Sequence, residues 1–252
     1  MRNIILLLVF ISNIVSAQNA DALFADANNL YKEGKYEEAI TLYKQIENTK
    51  EVSSELYYNL GNAYYKLNKV APSIYNYEKA LILNPLNEDA KNNLIIAQKL
   101  TLDRIEGLPK TLFQKLNTNF LEKLHYNTWG YLAVGFSILG SILFLAFYLS
   151  FNSTKKRVFF VTSIFSFLAL IFTLVVAYQQ YNSATNKKEA IVFATEVNVK
   201  NAPTTNSDEV FTLHEGTKVL VLDTVDNWKK IKLIDGKIGW LETNTIQVIQ
   251  NF

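Results

Sequence analysis

The sequence contains no cysteine, only two histidines and a single methionine. Without cysteine the chain can form no disulfide, no thiolate nucleophile and no thiolate metal site. It also lacks a glycine-rich phosphate loop, a cluster of metal ligands and a serine with a histidine suited to act as its base. The sequence therefore predicts no catalytic residue, no metal, no cofactor and no enzymatic activity.

An excess of charge of one sign is also missing. The chain has 25 Lys and Arg residues against 23 Asp and Glu residues, a net charge of +2. Outside the apolar runs, lysines alternate with acidic residues and form no basic stripe of the kind that nucleic-acid-binding proteins carry. The sequence therefore predicts no nucleic-acid partner.

Two long stretches, residues 129–151 and 158–178, contain no charged residue at all. The first would extend ~34 Å as a helix, against ~30 Å for the hydrocarbon core of a bilayer. Because neither stretch holds an ionisable side chain, neither can support an ion pathway. The pattern predicts two transmembrane helices that act as an anchor, with the lipid bilayer as a partner.

Residues 1–17 and the link between the two apolar runs predict how the protein is oriented in the membrane. Residues 1–17 have the features of a signal peptide: Arg2, an apolar run from Ile4 to Ile11, and Val15-Ser16-Ala17 before the cleavage point. The link 152–157 carries three adjacent cations and is short enough for the positive-inside rule, so it should lie in the cytoplasm. We expect a multi-pass protein of the bacterial cytoplasmic (inner) membrane with both soluble domains in the periplasm.

Residues 18–100 repeat with a period of 34. Gly34 and Asn68 coincide in this repeat and tolerate the left-handed backbone that a turn between helices needs. The second copy resembles the tetratricopeptide repeat family, and a third unit from Asn87 supplies one capping helix. The residues that carry the resemblance are Tyr57, Leu60, Gly61, Tyr64, Tyr77, Ala80 and Pro85.

The tetratricopeptide resemblance implies an all-α solenoid in which the first helix of each repeat lines a concave face. Asparagine can hold a peptide backbone, tyrosine offers flat apolar area and lysine can pair with a carboxylate. The alternative is that these residues reflect duplication, with Tyr31 and Tyr65 packed internally. The predicted peptide- or protein-binding residues are Phe24, Asn28, Tyr31, Lys32, Tyr58, Asn62, Tyr65 and Lys66.

We expect residues 101–128 to form a membrane-proximal helical connector. From Pro109 to Tyr126 the apolar residues fall on roughly one side of a helix, which is consistent with a helix lying on the membrane surface or with one packed under the repeats. The apolar residues are Leu112, Phe113, Leu116, Phe120 and Leu124.

After a polar linker at 179–187, residues 188–252 contain short β-branched and aromatic runs separated by turns, which predict a small all-β barrel. Asp235-Gly236 predicts a tight hairpin with both residues at positive φ. The stretch resembles the bacterial SH3 family through Val197–Lys200, His214–Thr217 and Gly239–Leu241. Some members of that family bind cell-wall peptides. Trp228 and Trp240 would line such a groove or belong to the core, and His214 beside Glu215 fits a surface turn better than acid–base chemistry.

The order of signal, repeats, two-helix hairpin and SH3-like barrel resembles the BatE-like family of the Bacteroidota Bat (Bacteroides aerotolerance) group. This resemblance implies membrane and periplasmic partners, some with von Willebrand A domains, in envelope or stress physiology. It predicts a non-catalytic membrane-anchored scaffold that presents two interaction modules outside the cytoplasm. The alternative is a sensor that binds peptidoglycan through the barrel.

Overall fold

The computed structural model describes residues 20–109 and 111–249, so the predicted signal peptide lies outside the described residues. The chain divides into two compact units. One combines the residues up to Leu108 with those from Lys188 onward, and the other is Pro109–Lys187. The first unit therefore joins segments from both sides of the apolar hairpin.

Five helices form the N-terminal half of the first unit. Gly34 at φ 80° and Asn68 at φ 56° make the turns inside the two repeats, which confirms the predicted left-handed positions. Ser53 and Asn87 cap the helices that follow them by accepting backbone N–H bonds. The helices are α1 (20–32), α2 (Tyr36–Asn48), α3 (Ser54–Lys66), α4 (Val70–Leu83) and α5 (Glu88–Gln98).

Small residues bring the paired helices together, as the repeat pattern predicts. A Cβ atom added to Gly61 would lie only 2.6 Å from the Tyr77 ring, so any larger side chain here would force α3 and α4 apart. Ala27, its equivalent one repeat earlier, is fully buried. The tyrosines Tyr43, Tyr57 and Tyr77 fill the space between the helices with almost no exposed surface.

The C-terminal part of this unit is one antiparallel seven-stranded sheet in the order β3-β2-β6-β5-β4-β1-β7. Its core contains Val199, Leu213, Ile231 and Leu241, which alternate with outward-facing residues along their strands. The strands are β1 (Lys188–Val192), β2 (Glu196–Lys200), β3 (Glu209–His214), β4 (Lys218–Val225), β5 (Trp228–Lys232), β6 (Ile238–Glu242) and β7 (Ile246–Val248).

The hairpin between β5 and β6 differs from the prediction. Gly236 has φ 96°, but Asp235 does not adopt a positive φ. The amide of Gly236 donates to the Leu233 carbonyl, and the amide of Leu233 donates to the Lys237 carbonyl. The loop therefore has three residues, a turn followed by a left-handed glycine, and only the glycine needs the left-handed conformation.

The barrel packs directly against the second repeat. Ile74 and Tyr75 of α4 share one buried apolar cluster with Ile191 and Ile249 of the barrel. The Tyr75 ring also meets the Phe193 ring edge to face at 5.7 Å. The sequence-based description, two modules separated by the hairpin, did not include this contact.

Residues 101–108, here called the strap, run along the barrel. Ile105 packs against the barrel core, and the Leu108 amide donates to the Ile234 carbonyl at 3.4 Å. The first eight residues of the predicted connector are thus an extended part of the first unit instead of a helix. Its helical part is α6 (Leu112–Asn119), which is followed by a 3-10 turn at Leu121–Lys123.

The second unit contains two helices that are long and apolar enough to cross a membrane, α7 (Tyr126–Leu149) and α8 (Ser153–Asn186). They pack on each other through small and polar residues, and the Ser166 hydroxyl donates to the Phe136 carbonyl at 2.9 Å. Asn152 caps α8, so the cations from Lys155 to Arg157 lie in its first turns and not in a loop. The same helix continues through most of the predicted linker at 179–187.

Candidate functional site

The first helices of the repeats line a pocket of about 320 Å³. Five of the eight predicted binding residues contribute to it: Tyr31, Tyr58, Asn62, Tyr65 and Lys66. Tyr77, Asn93 and Ile96 complete the lining. The helices α1, α3 and α5 supply seven of these side chains, because successive first helices of such repeats stand side by side.

A ladder of asparagines and tyrosines holds this face in place. The Asn62 Oδ1 atom accepts bonds from the Tyr77 hydroxyl at 2.7 Å and from Asn93 Nδ2 at 2.8 Å. One repeat earlier, Asn28 Oδ1 accepts from the Tyr43 hydroxyl at 2.6 Å and from Asn59 Nδ2 at 2.9 Å. The side-chain oxygens of Asn28 and Asn62 thus accept two hydrogen bonds each, and the amide nitrogens of these two residues can donate to a ligand.

The pocket lining combines aromatic surface with one cation. Lys66 is exposed at its edge, and none of the lining residues is acidic. Burial raises the pKa of the Tyr31 hydroxyl, with a smaller contribution from Tyr36 and Tyr58. Burial likewise raises the pKa of Tyr77, so both phenols keep their protons at neutral pH. This arrangement suits a ligand with an apolar part and a carboxylate.

The other three predicted binding residues lie outside the lining of this pocket. Phe24 packs against the repeat core, with its ring 5.9 Å from that of Tyr43. Asn28 belongs to the ladder, and Lys32 is exposed. Among the described residues, α1 has a neighbouring first helix on one side only, α3, whereas α3 lies between α1 and α5.

Trp228 and Trp240 are half-buried and lie outside the apolar core of the barrel. They stand on the outer side of adjacent strands, Trp228 opposite Glu242 and Trp240 opposite Lys230. The Lys230 ammonium lies 5.7 Å from the centre of the Trp240 ring. The Trp240 ring and the cation next to it are both partly exposed, so a ligand could contact the two together.

Sequence reasoning missed a polar site that joins the strap to the barrel. Asp103 Oδ2 accepts bonds from the His214 amide at 2.7 Å and from the Thr217 hydroxyl at 2.6 Å. His214 Nδ1 lies 2.7 Å from Asp103 Oδ1. His214 is therefore the partner of a carboxylate and not a free surface turn. Nothing in the polar strap sequence signals that Asp103 would be drawn in.

Lys218 makes a second polar connection, between the barrel and the repeats. Its ammonium lies 2.9 Å from Glu78 of α4 and 2.7 Å from Glu189 of β1. Burial by itself would lower the pKa of Lys218, but the two carboxylates outweigh that effect and hold the pKa above its usual range. Lys218 therefore stays charged and holds the two modules together.

Comparisons with known families agree with both modules. The profile described as TPR repeat matches residues 27–68, and that described as tetratricopeptide repeat matches residues 54–87. The profile described as bacterial SH3 domain matches residues 195–247. The chain thus contains tetratricopeptide repeats and a bacterial SH3 domain. No curated protein matches the chain.

Both modules are typically non-catalytic and serve protein interaction, and bacterial SH3 domains are also associated with peptidoglycan. Within residues 20–109 and 111–249, no group of three or more His, Cys, Asp or Glu side chains could hold a metal ion. The predicted fold class is confirmed: a helical repeat region, two long apolar helices and an antiparallel seven-stranded sheet domain consistent with an SH3-like fold.

Proposed function

We propose that this protein is a non-catalytic, membrane-anchored scaffold whose repeat groove binds an extended peptide of a partner protein. The observation that carries the proposal is the pocket formed by Tyr31, Tyr58, Asn62 and Lys66 with the cap helix α5. Its tyrosines provide apolar contact, the Asn62 amide nitrogen can donate to a peptide carbonyl, and Lys66 can pair with a carboxylate. We therefore expect acidic peptides with an apolar residue.

The docking of the barrel on the repeats supports a hairpin topology. Domains that share a buried cluster must lie in the same compartment, and a chain that crosses a membrane twice between them returns to the side on which it began. The cations at the start of α8 favour a cytoplasmic position for the tip of the hairpin. We propose that the docked modules stand in the periplasm, on the outer face of the inner membrane.

The order of the modules extends the proposal to a Bat-type envelope or stress complex. By that resemblance the partners are other membrane or periplasmic proteins, including von Willebrand A domain proteins, and the role is linked to aerotolerance. A groove that accepts one extended segment would let this chain hold such a partner at the membrane. The proposal includes no reaction.

The groove can be tested with the purified full chain and a library of short fluorescent peptides, each made with a free and an amidated C-terminus. We expect the peptides with a free C-terminal carboxylate to bind more tightly than their amidated forms. Lys66→Ala should weaken the binding of the free-carboxylate peptides about tenfold, because one charge-assisted bond is lost. Lys32→Ala is the matched control, because Lys32 is the equivalent residue one repeat earlier and lies outside the pocket. Equal losses in the two variants would contradict the assignment.

A second candidate function is binding to the cell wall through the barrel. The half-buried Trp240 with Lys230 beside its ring favours this function, because sugars and acidic peptides can both contact such a surface. The full chain in detergent should then sediment with purified peptidoglycan, and Trp240→Ala should remain in solution. If the unaltered chain also remains in solution, the barrel has no affinity for the wall. The repeats should be present in this test, because they cover Ile191 and Ile249.

A further inference from the structure

The helix α6 has an apolar face that is open to its surroundings. Leu112, Leu116 and Phe120 are 81%, 57% and 65% exposed. Side chains four residues apart lie on the same side of a helix, so Leu112, Leu116 and the C-cap residue Phe120 form one stripe. Gln114 and Thr118 lie on the opposite side, where the Thr118 hydroxyl bonds back to the Gln114 carbonyl.

The geometry of α6 is well defined although the helix has only eight residues. Thr111 and Gln114 form a capping box in which each side chain accepts a bond from the other residue's backbone amide. A helix this short is marginal by itself in water, and most helical stability comes from packing of an apolar face. The stripe on α6 therefore requires a surface against which it can be buried.

The 3-10 turn that follows α6 is attached to both apolar helices of its unit. The Leu121 carbonyl accepts bonds from Trp129 Nε1 of α7 at 3.1 Å and from Gln180 Nε2 of α8 at 2.5 Å. At the same end the Tyr126 and Tyr181 rings meet edge to face at 5.6 Å. Tryptophan and tyrosine collect where hydrocarbon meets headgroups, so the C-terminal end of α6 lies at that level.

We propose that α6 lies in the surface of the bilayer that α7 and α8 cross, with its stripe among the upper acyl chains. Most large apolar side chains of α7 and α8 are exposed as well, and a bilayer is the occupant that would cover them and the stripe together. Lys115 within α6 and Lys123 in the turn that follows it would meet anionic headgroups. This inference rests on the proposed membrane hairpin.

The natural absence of cysteine allows single spin labels to test the proposal. The full chain is placed in phosphatidylcholine and phosphatidylglycerol nanodiscs, with one cysteine at a time: Leu116→Cys, Leu112→Cys, Thr118→Cys or Leu139→Cys. Collision with oxygen reports lipid, and collision with a water-soluble nickel complex reports water. We expect a several-fold higher ratio of oxygen to nickel collisions at 116 and 112 than at 118, which lies on the opposite side.

Leu139 in the middle of α7 separates failure of this inference from failure of the membrane anchor. A lipid signal at 139 together with an aqueous signal at 116 and 112 would overturn the placement of α6. Exclusion of both reagents at 116 and 112 would also overturn it, because a protein surface and not lipid would then cover the stripe. An aqueous signal at 139 would overturn the hairpin itself, and the placement of α6 with it.

Discussion

At the scale of single residues, Asp103 attaches the strap to the barrel, a role that its sequence context did not suggest. Its side chain is 12% exposed and receives bonds from Thr217 and from the backbone and ring of His214. Burial alone would raise the pKa of this carboxyl, but these hydrogen bonds outweigh burial and hold the pKa below its ordinary value of 3.8. The folded state therefore favours the ionised form of Asp103, and ionisation of Asp103 in turn stabilises the folded state.

This linkage predicts an acid-sensitive attachment of the strap. Because the folded pKa lies below the unfolded one, Asp103 stabilises the fold at neutral pH, and that contribution is lost as pH falls below about 4. Asp103→Asn should lower the free energy of unfolding by about 2 kcal/mol at neutral pH and much less in acid. Urea unfolding of the solubilised full chain, followed by tryptophan fluorescence in a Trp129→Phe background, measures both values.

Asp208→Asn is the control for charge alone, since Asp208 is exposed in the loop before β3. It should leave the free energy of unfolding close to the parent value at every pH. If Asp103→Asn behaved like Asp208→Asn at neutral pH, the strap carboxylate would contribute nothing to the fold.

At the scale of elements, local patterns predicted the modules well. The 34-residue period identified α1 to α4 and their turns at Gly34 and Asn68, because repeats align the same side chains on each helix. Runs of β-branched residues identified most of the strands. The three-residue loop at Asp235 was missed, since an Asp-Gly pair is compatible with more than one hairpin geometry.

Contacts between elements distant in the chain could not be predicted in this way. Tyr75 and Phe193 are both aromatic residues within otherwise ordinary segments, and nothing in either segment identifies its partner. The same holds for Lys218 with Glu78. Of the eight predicted groove residues, the structure brings five into one pocket, because the period specifies the helix face and not which positions have a neighbour.

The turn between β3 and β4 offers a test of docking between the modules. Gly216 has φ 85°, and a Cβ atom there would lie 2.7 Å from Thr101 Cγ2 and 3.0 Å from Ile74 Cδ1. Gly216→Ala should therefore separate the barrel from α4, and the amides of α4 should exchange hydrogen faster. The free energy of unfolding should fall by about 1–3 kcal/mol beyond the strain of a left-handed alanine.

Gly236→Ala measures that strain by itself. Gly236 has φ 96°, but a Cβ atom there would meet only Leu108 Cδ1 at 3.7 Å, an ordinary contact. We expect Gly236→Ala to lower the free energy of unfolding by about 1–2 kcal/mol. The rate of hydrogen exchange at the α4 amides should not change. Equal exchange rates in α4 for the two variants would show that Gly216 does not govern docking.

At the scale of the whole molecule, the proposed topology predicts which residues a membrane-impermeant maleimide can reach in intact spheroplasts. Glu37→Cys in the repeats and Asp208→Cys in the barrel should react without lysis, because both are exposed and belong to the same unit. Thr154→Cys, at the start of α8, should react only after lysis. The three labelling yields can be compared directly, since the chain has no other cysteine.

Two results would contradict this topology. Labelling of Thr154→Cys alone before lysis would reverse the orientation of the hairpin in the membrane. Labelling of only one of the two modules would place them in different compartments, which is incompatible with the buried cluster around Ile74 and Ile191.

The contact between α4 and the barrel also sets an order of events during synthesis. Ile74 and Tyr75 leave the ribosome long before Ile191 and Ile249, the residues that cover them. At about 5–20 residues per second, the chain from residue 76 to Ile249 takes roughly 9 to 35 seconds to make. Throughout that interval the apolar residues of α4 that the barrel will cover are exposed to solvent. We therefore expect the newly made repeats to bind holdase chaperones until the last strand is made.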